Sequence, residues 1–143
     1  MVHPQVLQKY SLFGGLTEDQ IQNILPNMLQ ETYNQDEFVI TEGKPNDKIF
    51  FMIEGQVAVV KGNIVLSKFS EGEAFGEMEV LDVMPAAASI KALTPVTIMS
   101  VSNQALRKIY QVDIAAFSLI IMNLARDLSR RLRKMDEKLV SPT

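Results

Sequence analysis

Between Glu71 and Ala92 the chain reads Glu-Gly-Glu-Ala-Phe-Gly-Glu-Met-Glu-Val-Leu-Asp-Val-Met-Pro-Ala-Ala-Ala-Ser-Ile-Lys-Ala. Gly72 and Gly76 permit a tight loop, Phe75 anchors it from the apolar side, and Gly76-Glu77-Met78 begin a short helical turn. Backbone N–H groups at such a start form an anion site, and a carboxylate beside them, Glu77, is placed to clasp vicinal hydroxyls. Pro85 stops the turn, and Ala87 and Ala88 offer unobstructed N–H groups on the way into the next strand. These are groups for holding a small polar ligand.

Composition argues against chemistry beyond binding. The 143 residues include no Cys and one His, His3, which leaves no thiolate metal site and no Ser-His or Cys-His pair in the body of the chain. The absence of Cys fits a reducing compartment. Fourteen bases against seventeen acids give a net charge of −3, with no overall pull toward nucleic acid. The start lacks the basic end and apolar run of a signal peptide. The most apolar stretch, Ile114–Ala125, is too short to cross a bilayer. The expectation is a cytoplasmic, non-enzymatic protein with no membrane segment and no cofactor.

The elements that must position the loop read as one domain over 1–143. Residues 4–30 read helical: the stretch 12–17 supplies a staple and an N-cap, Thr17 with Gln20 matches a capping box, and Leu16, Ile21, Ile24, Leu25 and Met28 make a core-facing stripe. Residues 31–102 carry short β-rich runs at 8–12-residue spacing, among them Ile49–Ile53, Val57–Val60 and Val96–Val101, with Gly62-Asn63 as a hairpin turn. Residues 103–139 return to helical spacing, capped at Ser102 or Asn103 and again at Asp113. The fold class is α+β: an antiparallel β-roll of the jelly-roll or double-stranded β-helix type, flanked by N-terminal helices and a long C-terminal helix.

In that last helix Ala125, Leu132 and Leu139 repeat at a and Ile121, Leu128 and Met135 at d. Either a homodimer forms through residues 121–139 or the stripe packs on its own domain. Residues 126–138 hold six bases against three acids, leaving eight against fourteen elsewhere. A basic helix can signal nucleic acid, but the interleaved acids suit a solvated outer face.

Phe75-Gly76-Glu77 and the register to Pro85, Ala87, Ala88, Ser89 and Ala92 resemble the phosphate-binding cassette, here 72–89, of the cyclic-nucleotide-binding domain family. That family includes the regulatory module of the catabolite activator protein and the regulatory subunits of cAMP-dependent kinase. Glu42-Gly43, Asp47, Phe51, Ile53, Gly55 and Val57 match its β-turn spacing, and the likeness covers about 10–139. Leu128–Leu139 looks like the dimerisation helix of the catabolite-activator branch. The resemblance implies a regulatory ligand-binding module with cAMP as the default ligand, signalling through the last helix to an effector protein. It gives Glu77 the ribose 2′-hydroxyl and the backbone of Gly76, Met78 and Ala87 the ribose or cyclic-phosphate oxygens. Arg131 matches an arginine that approaches the pocket glutamate and the phosphate. Met135 and Asp136 fall where that branch sets hydroxyls against the adenine; Met135 can only pack, while Asp136 can accept from an exocyclic amine. Val59, Ile64 and Leu66 are candidates for an apolar floor.

One position departs. Ala86 stands where the family carries its phosphate arginine. A charge-assisted, bidentate contact of that kind is worth roughly 1.5–3 kcal/mol, so its loss weakens binding about ten- to a hundredfold. Between Lys68 and Lys91 there is no base, against Glu71, Glu73, Glu77, Glu79 and Asp82. Weak or altered cyclic-nucleotide binding is expected. The alternative is a ligand-free interaction module in which Arg131 merely neutralises Glu77. Only Val140-Ser-Pro-Thr143 follows the last helix, so this stretch carries no DNA-binding element; it would also suit the regulatory half of a catabolite-activator-like transcription factor.

Overall fold

A computed structural model describes residues 2–77, 80 and 83–140. In chain order come α1 (Pro4–Leu7), a 3-10 turn (Ser11–Phe13), α2 (Glu18–Ile24) and a second 3-10 turn (Leu25–Asn27). The strands are β1 (Leu29–Tyr33), β2 (Phe38–Ile40), β3 (Lys48–Glu54), β4 (Val57–Lys61), β5 (Ile64–Phe69), β6 (Ala74–Phe75), β7 (Ser89–Ala92) and β8 (Val96–Ser102). Two helices follow, α3 (Asn103–Val112) and α4 (Ile114–Val140). The strands form two antiparallel four-stranded sheets, ordered β1-β8-β3-β6 and β2-β7-β4-β5. This is the expected roll with flanking helices.

The capping box is formed: Thr17 Oγ1 accepts from Gln20 N–H at 3.1 Å, and Gln20 Oε1 accepts from Thr17 N–H at 3.0 Å. The N-terminal helical reading runs too far, because β1 already starts at Leu29. Pro26 tightens the chain into a 3-10 turn that cannot continue the helix, and the backbone leaves it extended. The Gly62-Asn63 turn joins β4 to β5 as a two-residue hairpin, with Lys61 paired to Ile64. Gly62 has φ +60°, and a positive φ at the first central position is what a type II′ turn asks of glycine.

β3 explains why its sequence runs apolar without alternation. Ile49 and Phe51 face the helices, packing with Leu12, Phe13, Ile21, Met99 and Ile109. Phe50 and Met52 face the other way, into the roll with Val57, Phe75, Ile90 and Ile98. A strand buried on both faces has no polar side to show. Phe13 meets Phe51 edge-on at 5.1 Å, a geometry worth about 1 kcal/mol beyond area burial.

α4 is tied to the body by its first half. Asp113 caps it, accepting from Ala116 N–H at 3.0 Å. Ala116, Ile120, Asn123 and Leu124 are buried, and Asn123 Nδ2 donates to the carbonyls of Leu12 and Gly14, both at 3.0 Å. Beyond Leu124 no described side chain of the helix is buried. Ile121 packs on the helical core, while Ala125, Leu132, Met135 and Leu139 are exposed. Among the described residues no helix is long and apolar enough to cross a membrane.

Candidate functional site

The site begins at a column of rings. Phe50 and Phe75 stack at 5.3 Å with planes 14° apart, and Phe75 and Phe69 stack at 5.8 Å, 7° apart. The guanidinium of Arg131 lies 4.6 Å over the Phe69 ring as the outermost layer. β3, β6, β5 and α4 each contribute one member, so the column links the roll core to the C-terminal helix.

Gly76 turns the chain at the end of β6. Its φ is +84°, and a Cβ there would stand 2.9 Å from Lys48 O. Glycine is therefore required twice, by conformation and by space. Asn46 Nδ2 donates to Gly76 O at 3.2 Å and to Lys48 O at 2.8 Å, holding the turn against β3.

This turn delivers Glu77 to the interior. The residue is 3% exposed, an unusual place for a carboxylate without a partner. Arg131 supplies one: its Nη1 donates to Glu77 Oε1 at 2.8 Å. Its Nη2 donates to the carbonyl of Ala74. Glu77 Oε2 is buried and accepts nothing from the described residues. Such an orphaned acceptor costs about 1–3 kcal/mol, and a hydroxyl donor entering the cavity would satisfy it.

Glu77 and Arg131 line a cavity of about 90 Å³ together with Ile40, Val59, Phe69, Phe75, Gly76, Ala87, Ala88 and Ile90. Cavities that engulf small-molecule ligands usually reach roughly 300–1,000 Å³. With Arg131 folded onto Phe69 the space is therefore closed down. Its only two charged lining side chains, among the described residues, neutralise each other. Nor is any group of three His, Asp or Glu side chains among them placed to hold a metal ion.

Of the residues singled out from sequence, Gly76, Glu77, Ala87 and Arg131 come together on this cavity, with Val59 beneath. Met78 lies outside the described residues, and with it part of the expected helical turn. Ala86 is buried but off the lining, in the same core cluster as the lining residues Ile40, Phe75 and Ile90. Its N–H donates to Lys44 O at 3.0 Å and its carbonyl accepts from Gly43 N–H at 2.8 Å.

Met135 and Asp136 are not brought in: both are exposed on α4 beyond the cavity. A helix rises about 6 Å in four residues, and the turn after Arg131 has already left the domain edge. Ile64 and Leu66 are not floor either. They lie exposed on β5, an edge strand paired on one side only.

Sequence reasoning missed Phe69 as the seat of the guanidinium and the Ala74 carbonyl as its second acceptor. An aromatic at the end of a strand, two residues before the Glu71-Gly72 turn, was the available signal for the first. Nothing in sequence marks a single carbonyl.

The model of the cyclic nucleotide-binding domain family matches residues 30–113. Human cGMP-dependent protein kinase 2 is 27% identical over 133 residues, covering 93% of this chain and 18% of the kinase. The cAMP-dependent protein kinase regulatory subunit of Yarrowia lipolytica is 28% identical over 98 residues, covering 68% of this chain and 26% of the subunit. The chain thus spans about a quarter or less of these relatives. Among solved structures, a cyclic nucleotide-binding domain from Methylobacillus flagellatus is similar with a TM-score of 0.87 and 25% identity, over 99% of this chain and 82% of that one. The Thermus thermophilus catabolite activator protein gives a TM-score of 0.77 and 25% identity, over 90% and 61% respectively.

Proposed function

The chain belongs to the cyclic nucleotide-binding domain family, and on that premise we propose that it is a regulatory module that binds a small hydroxyl-bearing ligand in the Glu77 cavity and reports through α4. The observation that carries this reading is the buried, unpartnered Oε2 of Glu77 beside a guanidinium that belongs to the last helix. Glu77 accepts from vicinal hydroxyls, and the backbone of Gly76 and Ala87 faces the remaining oxygens. Because Arg131 holds the same carboxylate, any ligand that engages Glu77 acts on α4, favouring one helix position by differential contacts. A homodimer through 121–139 is the output, and the exposed seam positions Ala125, Leu132, Met135 and Leu139 support it.

The ligand class is a cyclic nucleotide or a related metabolite, with cAMP bound weakly. Ala86 offers no cation, and Arg131 cannot serve Glu77 and a phosphate at full strength together. A second reading, a ligand-free interaction module, is favoured by the small cavity and by the Glu77–Arg131 pair that already neutralises it.

Calorimetry with cAMP on the wild type and Ala86→Arg separates them. Ala86 shares a core cluster with the lining residues Ile40, Phe75 and Ile90, so an arginine at 86 starts beside the cavity. The expected result is a wild-type Kd weaker than micromolar and a variant at least about tenfold tighter. A micromolar or tighter wild type overturns weak binding. Heat from neither protein sinks the cyclic-nucleotide reading in favour of the second.

A further inference from the structure

Arg131 has a second acceptor within the chemistry of its own helix. In the heptad that places Ala125, Leu132 and Leu139 at a, Arg131 falls at g and Asp136 at e. When two helices pair in parallel and in register, a g residue meets the e residue of the following heptad on the partner, five positions on, and Asp136 stands five positions after Arg131. The antiparallel alternative sets g against g, bringing Arg131 and Lys138 of one helix against the same cations of the other. Charge therefore selects the parallel pair.

The placement of the arginine fits both roles. At about 100° per residue, position 131 lies on the border between the face packed on its own domain, Ala116, Ile120, Asn123 and Leu124, and the exposed seam. Its side chain is 31% exposed although one end is bonded to buried Glu77. Asp136 stands exposed on the far flank of the seam.

We infer that Arg131 is shared between two acceptors: Glu77 of its own cavity, and Asp136 of a second copy of this chain docked in parallel along 121–139. This rests on the dimeric reading above and adds its switch. A donor that takes over Glu77 loosens the hold on the guanidinium, which then pairs across the interface, so occupancy of the cavity and self-association strengthen each other by linkage. Glu77 and the dimer compete for one cation, and a ligand on Glu77 removes that competition.

Sedimentation equilibrium on the full chain tests this with Asp136→Asn, Asp136→Arg, Glu77→Gln and the double variant Glu77→Gln/Asp136→Asn. Asp136→Arg sets a like charge against Arg131 on both sides of the interface, so it is expected to weaken the dimer roughly three- to tenfold. Glu77→Gln, which relaxes the hold on Arg131, is expected to tighten it about threefold, and that gain should vanish in the double variant. A dimer whose Kd stays within twofold in both Asp136 variants overturns the shared arginine and leaves the dimer standing. A chain that stays monomeric in every variant, as it would if the seam took another protein, removes both. Should Glu77→Gln fail to fold, the two single Asp136 variants, at an exposed position, still decide between these outcomes.

Discussion

Replacing Arg131 by Ala tests the charge arrangement of the cavity most directly. Glu77 is 3% exposed, its Oε1 has Arg131 as partner at 2.8 Å, and its Oε2 has none among the described residues. Removing the guanidinium leaves a carboxylate facing Ile40, Val59, Phe69, Phe75 and Ile90 with no cation on the lining. Breaking a fully buried pair costs about 3–5 kcal/mol. Here the arginine side chain is 31% exposed, so water screens part of that and about 2 kcal/mol is the better figure. Loss of the contact over Phe69 adds about 0.5–1 kcal/mol. Against a net stability of roughly 5–15 kcal/mol this is a large fraction. Urea unfolding is expected to show a midpoint lowered by about 2–3 kcal/mol equivalent at unchanged m-value. Glu77→Gln in the Arg131→Ala background should recover about half, because a neutral amide tolerates the site that a bare carboxylate does not. An Arg131→Ala variant within about 0.5 kcal/mol of the wild type, or a double variant no better than the single, would mean that Glu77 does not depend on this cation.

Three further outcomes follow from groups elsewhere. Burial, the hydrogen bond that Tyr10 donates to Glu71 at 3.0 Å, and the Glu71 charge push the Tyr10 phenol up to about 12. A raised phenol stabilises the fold in its neutral form, fully below about pH 10 and progressively less as the pH climbs through 12. Tyr10→Phe should therefore lose less stability over that window, and an identical alkaline slope in both proteins would contradict the assignment. Burial raises the Glu31 carboxyl, but hydrogen bonds from Tyr33, Lys48 and Ser100 and the Lys48 charge outweigh it and set it below its usual range. A depressed carboxylate stabilises above about pH 4.5 and less as the pH falls, so Glu31→Gln should flatten the acid limb of a stability–pH curve; an unchanged limb counts against the network. Gly76→Ala should cost about 2 kcal/mol or more in thermal or urea unfolding, given a φ of +84° and a Cβ 2.9 Å from Lys48 O, and a neutral result would mean that the turn is drawn wrongly.

The sequence made local structure legible wherever one residue type had one physical solution. Thr17 with Gln20, Asp113 before an apolar run, and Gly62-Asn63 between β-rich blocks each name their own geometry. Glu77 and Arg131 are 54 positions apart, and periodicity cannot bring them together; the resemblance to a known family did. Ile64 and Leu66 misled because an edge strand and a central strand draw on the same apolar vocabulary, and only the pairing pattern says which is which. Met135 and Asp136 misled for a different reason: helical phase can be counted along a sequence, but the point where a helix runs off its domain depends on packing at Leu124 and before.

The clamping of α4 by Asn123 and Leu124 has a mechanical consequence. The helix is packed there, and beyond it the described residues hold it to the body by polar contacts of Asp127 and Arg131 and not by buried packing, so it is a lever with its fulcrum near 124. Arg131 lies about 10 Å along it and Leu139 about 22 Å, at about 1.5 Å per residue. A displacement of about 1 Å where the cavity pulls or releases becomes about 2 Å at the tip. That gain is comparable to the helix shifts that repack interfaces in known switching proteins, and no bending of the roll is needed to produce it.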